Sequence, residues 1–154
     1  MKDIKIRKLS NVDEIPYKLL HSADPSIESV NDYLDRGDCY IAYDNNDEVL
    51  GVYVLIKTRP SILEIVNIAV EESYQGSGIG KKLVASAIDK ARELKVKTLE
   101  AGTGNSSISQ LAFYQKCGFR IVGVDKDFFK KHYKEKIEEN GIECIDMIRL
   151  SIDL

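Results

Sequence analysis

The chain has 154 residues, of which 44% are hydrophobic and 31% charged, enough apolar material for one ordinary globular core and too much for a disordered chain. Its 22 basic and 25 acidic side chains leave a formal net charge of −3, so no broad basic footprint offers itself to nucleic acid or to an anionic membrane. Any anion site must therefore be local.

Residues 3–8 alternate apolar and charged side chains, as a half-buried strand does, and residues 11–21 and 26–35 carry helical spacing on either side of Asp24-Pro25. Residues 39–43 and 49–57 read as strands joined by the hairpin chemistry of Asp44, Asn45, Asn46 and Asp47. Residues 62–70 make the third strand of that meander. Within it, simple alternation puts Glu64 on the same face as Val66 and Ile68.

The next segment, Gln75-Gly76-Ser77-Gly78-Ile79-Gly80-Lys81, lies where a strand gives way to a helix. Leu83, Val84, Ala87, Ile88, Ala91 and Leu94 then form one apolar stripe, so the helix packs on a sheet. A strand returns at 98–101, and the strand, helix, strand unit is expected to be a right-handed parallel crossover. Asn105 to Ser107 offer an N-cap to a helix over 108–116, which Gly118 ends as a left-handed C′ residue. Strands at 119–124 and 143–152 complete the sheet. The charged connection between them, 125–141, holds Phe128, Phe129, His132 and Tyr133 and closes on the turn pair Asn140-Gly141, with room for a short helix.

Cys39, Cys117 and Cys144 are odd in number and far apart, which speaks against a disulfide framework or a CxxC site. His21 and His132 stand apart from any ligand cluster, so no metal is expected. There is no apolar leader after Met1 and no run near the ~20 residues of a membrane span. The expectation is one cytoplasmic domain, residues 1–154, with no repeat or linker.

The glycine turn is suited to phosphate. The first N–H groups of a helix lack intrahelical acceptors, the helix dipole adds positive charge there, and glycines let the main chain come close to an anion. A Walker A loop is excluded by Gln75 and Lys82, which stand where a glycine and a Ser or Thr are required. A dinucleotide fingerprint starting at Gly76 meets Lys81 in place of its third small residue. The pattern Gln, two residues, Gly, one residue, Gly is satisfied by Gln75, Gly78 and Gly80. It resembles the coenzyme A pyrophosphate loop of the GCN5-related N-acetyltransferases (GNAT). Leu63 to Val70 resembles the family's strand before that loop, and Asn105 together with Ala112 to Phe119 resembles its segment after it. The order of elements matches over essentially the whole chain.

The resemblance implies an α/β fold with a mixed, mostly antiparallel sheet that splays between the fourth and fifth strands and is flanked by helices. It further implies an N-acetyltransferase that moves the acetyl group of acetyl-CoA directly to a primary amine of a small molecule or peptide. Main-chain groups of Ile68, Ala69 and Val70 would hold the pantetheine arm, the segment Gln75, Gly76, Ser77, Gly78, Ile79, Gly80, Lys81 the pyrophosphate, and Asn105 would be a side-chain contact to the arm or a helix cap. The acceptor site would be walled by the first two helices and the 125–141 connection, with Phe128, Phe129, His132 and Tyr133 as an aromatic lining.

Acetyl transfer to an amine needs a base or proton path, because alkyl ammonium groups ionise only near ~10.4. Glu64, a carboxylate in an otherwise apolar strand, is the candidate base, and Tyr114 the candidate acid for the departing thiolate. The amide of Ile68 would be the oxyanion donor. A non-catalytic acyl-CoA sensor that presents its charged loop to a partner is the alternative. The final strand is apolar enough for a homodimer and equally suited to the sheet interior.

Overall fold

The computed structural model describes residues 3–154; Met1 and Lys2 of the expected 1–154 span lie outside the described residues. Its elements in chain order are β1 (Lys5–Lys8), α1 (Tyr17–Ala23), α2 (Ile27–Arg36), β2 (Asp38–Tyr43), β3 (Val49–Arg59), β4 (Ile62–Val70), a 3₁₀ turn (Glu72–Tyr74), α3 (Ile79–Glu93), β5 (Thr98–Gly104), α4 (Ile108–Lys116), β6 (Arg120–Asp125), α5 (Phe128–His132), β7 (Glu138–Glu139), β8 (Ile142–Glu143) and β9 (Met147–Asp153). Seven strands form one sheet in the order β1-β2-β3-β4-β5-β9-β6. Every neighbouring pair is antiparallel except β4 and β5.

Local chemistry sets the boundaries. Pro16 stands at the N-cap of α1, and a proline is tolerated at a helix start but not in its interior. The helix expected over 11–21 therefore begins later. The residues before it are clamped instead by Asp13, whose Oδ2 accepts the N–H of Ser10 at 2.7 Å and Arg7 Nη1 at 2.7 Å. Ser26 caps α2 by accepting the N–H of Ser29 at 3.1 Å. Asp44 Oδ1 takes the N–H groups of Asn46 and Glu48 at 2.9 and 3.0 Å, closing the β2–β3 hairpin. Gly118 ends α4 with φ +100°, as its position after the helix leads one to expect.

The chain end departs from the expected single strand. Asn140 and Gly141 both have positive φ and turn β7 into β8 as a separate two-stranded hairpin. Only after it does β9 begin, and it runs between β5 and β6 with both edges paired. The apolar final strand is thus an interior strand. The free edge on that side belongs to β6, which exposes Ile121, Val122 and Val124.

Two apolar clusters cover the two sheet faces. Leu63, Ile65, Ile68, Leu83, Val84, Ala87, Leu99, Tyr114 and Phe119 belong to the cluster under α3 and α4. Leu19, Leu20, Val30, Tyr33, Ile41, Val52 and Val54 belong to the one under α1 and α2. The register of β3 against β4 steps from Val54↔Asn67 to Leu55↔Ile65, leaving Val66 as the extra residue of a bulge. Such a bulge shifts the alternation by one. Ile68 therefore faces α3 with Leu63 and Ile65, while Glu64 faces the other way, so the simple alternation that paired Glu64 with Ile68 is broken.

Parallel pairing of β4 with β5 covers only Ile62 to Ile65 against Thr98 to Ala101. Beyond Ile65 the two strands part. Residues 102–104 of β5 keep pairing with β9, and residues 67–70 of β4 with β3. The sheet opens between them.

Candidate active site

The glycine turn sits at the mouth of that opening. Gly76 and Gly78 have φ +80° and +91°, and a Cβ built on either meets nothing within 4 Å. Backbone hand, not crowding, requires glycine at both. Gly80 has a different reason, because its Cβ would lie 3.3 Å from Phe113 Cζ; the glycine lets the start of α3 press on α4. Gly78 is the α3 N-cap and offers no side-chain cap. None of the main-chain N–H groups from Gly76 to Lys81 meets a protein acceptor among the described residues. The side chains nearby brace the turn: Gln75 Nε2 donates to Val70 O at 3.2 Å and Ser77 Oγ to Tyr74 O. The result is a set of aligned, unsatisfied donors at the positive end of a 15-residue helix, the arrangement that binds phosphate.

A cavity of about 1070 Å³ runs from this turn into the opened sheet. Its walls include Gln75, Gly76, Gly78, Gly80 and Lys81 at one end, β4 from Ile65 to Val70 along one side, and Gly102, Thr103, Phe113 and Tyr114 along the other. Ile68, Ala69 and Val70, expected to hold a pantetheine arm, are all at the wall. The far end is closed by His21, Ser22, Ala23 and Pro25 from the α1–α2 corner and by Ile137, Glu139 and Asn140 from the β7–β8 hairpin. Of the features expected around the acceptor, the α1–α2 corner and, through Ile137, Glu139 and Asn140, the 125–141 connection are at the cavity wall. The aromatic lining is not: Phe128, Phe129, His132 and Tyr133 pack on one another, with ring centroids 4.7–5.2 Å apart in the closer pairs, and do not line the cavity.

The two candidate catalytic side chains lie on opposite faces of the sheet. Tyr114 is 2% exposed, stacked at a tilt on Phe113 and Phe119 under α3, and burial drives its phenol well above the usual range, so it stays protonated. It lines the cavity. Glu64, on the α1 and α2 face, does not line it. Its Oε2 accepts Arg149 Nη1 at 3.3 Å, and Arg149 holds Asp125 Oδ2 through Nε at 2.7 Å. Burial raises the Glu64 carboxyl above its ordinary value, helped by neighbouring Glu100 and Asp125 and opposed by Arg149. Glu100 is its register partner on β5.

Asn105 does not turn to the cavity. Its Nδ2 donates to Glu143 O at 3.1 Å, and its Oδ1 accepts the N–H groups of Ile145 and Asp146 at 2.8 and 3.0 Å. The amide is spent on pinning the segment between β8 and β9, which corrects its expected role as a contact to the coenzyme arm. Nor does it cap α4, whose N-cap is Ser107.

Sequence reasoning passed over a polar group at the bulge. Asn67 is 4% exposed and donates from Nδ2 to Leu20 O at 2.9 Å and to Tyr33 Oη at 2.7 Å. Tyr33 in turn donates to Asp24 Oδ2 at 3.1 Å, and Tyr133 to Asp24 Oδ1 at 2.8 Å. This chain ties β4, α2, the α1–α2 corner and the segment after α5 together. An Asn amid apolar strand residues was the available signal. Among the described residues, no group of three or more His, Cys, Asp or Glu is placed to hold a metal ion.

A helix N-terminus with free donors, set at the mouth of a sheet that opens between a parallel pair, defines an acyltransferase of the GNAT type. The family described as Acetyltransferase (GNAT) family matches residues 6–119, and the chain belongs to it. Uncharacterized N-acetyltransferase YvbK of Bacillus subtilis (strain 168) is 56% identical over 154 residues, covering 100% of this chain and 99% of that one. A GNAT family acetyltransferase from Elizabethkingia anophelis, solved with acetyl-CoA bound, has a TM-score of 0.95 at 48% identity, with 98% of each chain covered. A Bacillus subtilis acetyltransferase solved in complex with CoA has a TM-score of 0.92 at 56% identity, with 99% of each chain covered.

Proposed function

We propose that the chain transfers the acetyl group of acetyl-CoA directly to a primary amine of a small molecule or peptide within a ternary complex. The observation that carries this reading is the row of unsatisfied N–H groups from Gly76 to Lys81 at the mouth of the opened sheet. These donors would hold the pyrophosphate, and Ile68, Ala69 and Val70 would hold the pantetheine arm along the β4 wall. The acetyl thioester would then lie in the gap between β4 and β5, its carbonyl oxygen met by the amide of Ile68.

The opposite placement of the two side chains supports a division of labour. Tyr114, protonated and on the α4 side, would give its proton to the sulfur as the thiolate leaves. The amine would approach from the α1 and α2 face, where Glu64 lies. Because Glu64 stands behind the cavity wall, it would take the amine's proton through water rather than by contact. In the balanced step the amine nitrogen bonds to the acetyl carbon, the C–S bond breaks, one proton leaves the nitrogen and one reaches the sulfur.

A thiol-release assay with acetyl-CoA against an amine panel tests the reading, run beside Glu64→Gln and Tyr114→Phe. The expected result is turnover of at least one amine, with kcat lowered about 10²-fold in each variant and acetyl-CoA affinity kept. Tight acetyl-CoA binding with no turnover on any amine would instead fit a sensor.

A further inference from the structure

The acceptor end of the cavity carries five polar side chains, His21, Ser22, Asn67, Glu139 and Asn140, and each of them makes at least one hydrogen bond within the protein. Ser22 Oγ donates to Leu19 O at 2.6 Å, and Asn140 Nδ2 to Ser106 O at 2.8 Å. Glu139 Oε1 accepts Ser107 Oγ at 2.9 Å. Asn67 has spent both N–H groups, and its buried Oδ1 is closed off from solvent.

His21 differs. Its Nδ1 lies 3.1 Å from the main-chain oxygen of Asp24, and a carbonyl only accepts, so Nδ1 carries the proton. In the neutral ring that leaves Nε2 with an unshared lone pair. One ring face is covered by Tyr17, stacked at 6.0 Å and 14°. In that form the ring, which lines the cavity, keeps an acceptor to offer.

The anchor of this ring is itself rigid. The carboxylate of Asp24 accepts Tyr33 Oη, Tyr133 Oη and the N–H of Ser26 at 3.1, 2.8 and 3.0 Å. Bonds from three segments thus hold the residue whose carbonyl fixes the His21 tautomer. Restraint of this kind lowers the ordering cost of binding.

We propose that His21 binds the acceptor substrate, its Nε2 receiving an N–H of the incoming primary amine at the α1–α2 wall. The inference rests on the transfer reading above and adds to it the group that recognises the amine. It also sets a requirement on the ligand, which must bring a hydrogen-bond donor to this end of the cavity.

The test uses benzylamine, tyramine, spermidine and alanyl-alanine as acceptors for the wild type, His21→Leu and His21→Gln, with melting curves to verify folding and His21→Ala in reserve. Removing the acceptor in His21→Leu is expected to raise the amine KM about ten-fold, with kcat within about two-fold and the calorimetric Kd for acetyl-CoA unchanged. His21→Gln, whose amide oxygen can reach the place of Nε2, is expected to recover most of that loss. Calorimetric titration of the CoA-loaded enzyme with the same amine should show the same ordering without turnover. An unchanged amine KM in folded His21→Leu overturns the inference and leaves the transfer reading standing. Loss of acetyl-CoA affinity in step with the KM assigns the ring to the coenzyme and overturns it as well. A wild type that binds acetyl-CoA yet acetylates none of the four amines overturns both readings together.

Discussion

Arg149 reaches Glu64 from two strands away, with Nη1 3.3 Å from Oε2, while its Nη2 holds Asp125 at 2.6 Å. The guanidinium is shared, and burial outweighs it, so the Glu64 carboxyl titrates above its ordinary 4.5. A raised carboxyl binds more protons folded than unfolded, so its contribution to stability is lost as pH climbs from 4.5 through the folded-state value. Glu64→Gln removes that loss. The difference in melting temperature, variant minus wild type, is expected to grow more positive between pH 4 and pH 7; a flat difference across that range would contradict the burial argument.

Gly78 adopts φ +91° with open space around it. A Cβ at that hand costs about 1 kcal/mol, and relaxing the strain would rotate the N–H groups that start α3. Gly78→Ala is expected to weaken acetyl-CoA binding about ten-fold in calorimetry, and Gly78→Asn less, because asparagine tolerates the left-handed region.

Three hydrogen bonds from one half-buried amide hold the segment between β8 and β9 to the end of β5. Asn105→Ala is expected to cost about 2–3 kcal/mol in denaturant unfolding, since two N–H groups and a carbonyl lose their partner. Acetyl-CoA affinity should stay near that of the wild type. A large loss of affinity at unchanged stability would place this side chain on the coenzyme after all.

The three thiols differ in reach. Cys39 is buried under α1 and α2, with its thiol pushed up to about 12 by desolvation. Cys117 is only partly buried, and Lys81 opposes its rise. Mass-spectrometric labelling with a maleimide at pH 8 is therefore expected to modify Cys117 first and Cys39 only on unfolding.

The strand meander, the helix over 108–116, the turn at Asp44 to Asp47 and the glycine turn were all legible in the amino-acid order. So was Gly118 as a helix stop. Each is a local matter: apolar period, hairpin chemistry and left-handed glycines act over a few residues. The start of α1 was misplaced although Pro16 marked it, and the split of the last strand was missed although Asn140-Gly141 announced the turn. Those signals were present but were outvoted by periodicity.

The rest depended on which distant residues meet. One extra residue at Val66 reversed the face on which Ile68 lies relative to Glu64, and pairing between strands alone fixes where a bulge falls. Asn105 has the composition of a cap or a ligand contact, and its fate was settled by a segment 38 to 41 residues away. Asp24 became an anchor through Tyr133, 109 residues on. Side-chain types prescribe what backbone the chain adopts and what chemistry it can offer. Whether a given polar group is left open to a ligand or consumed inside the protein follows from closure of the whole sheet, which brings partners together that no short stretch can specify.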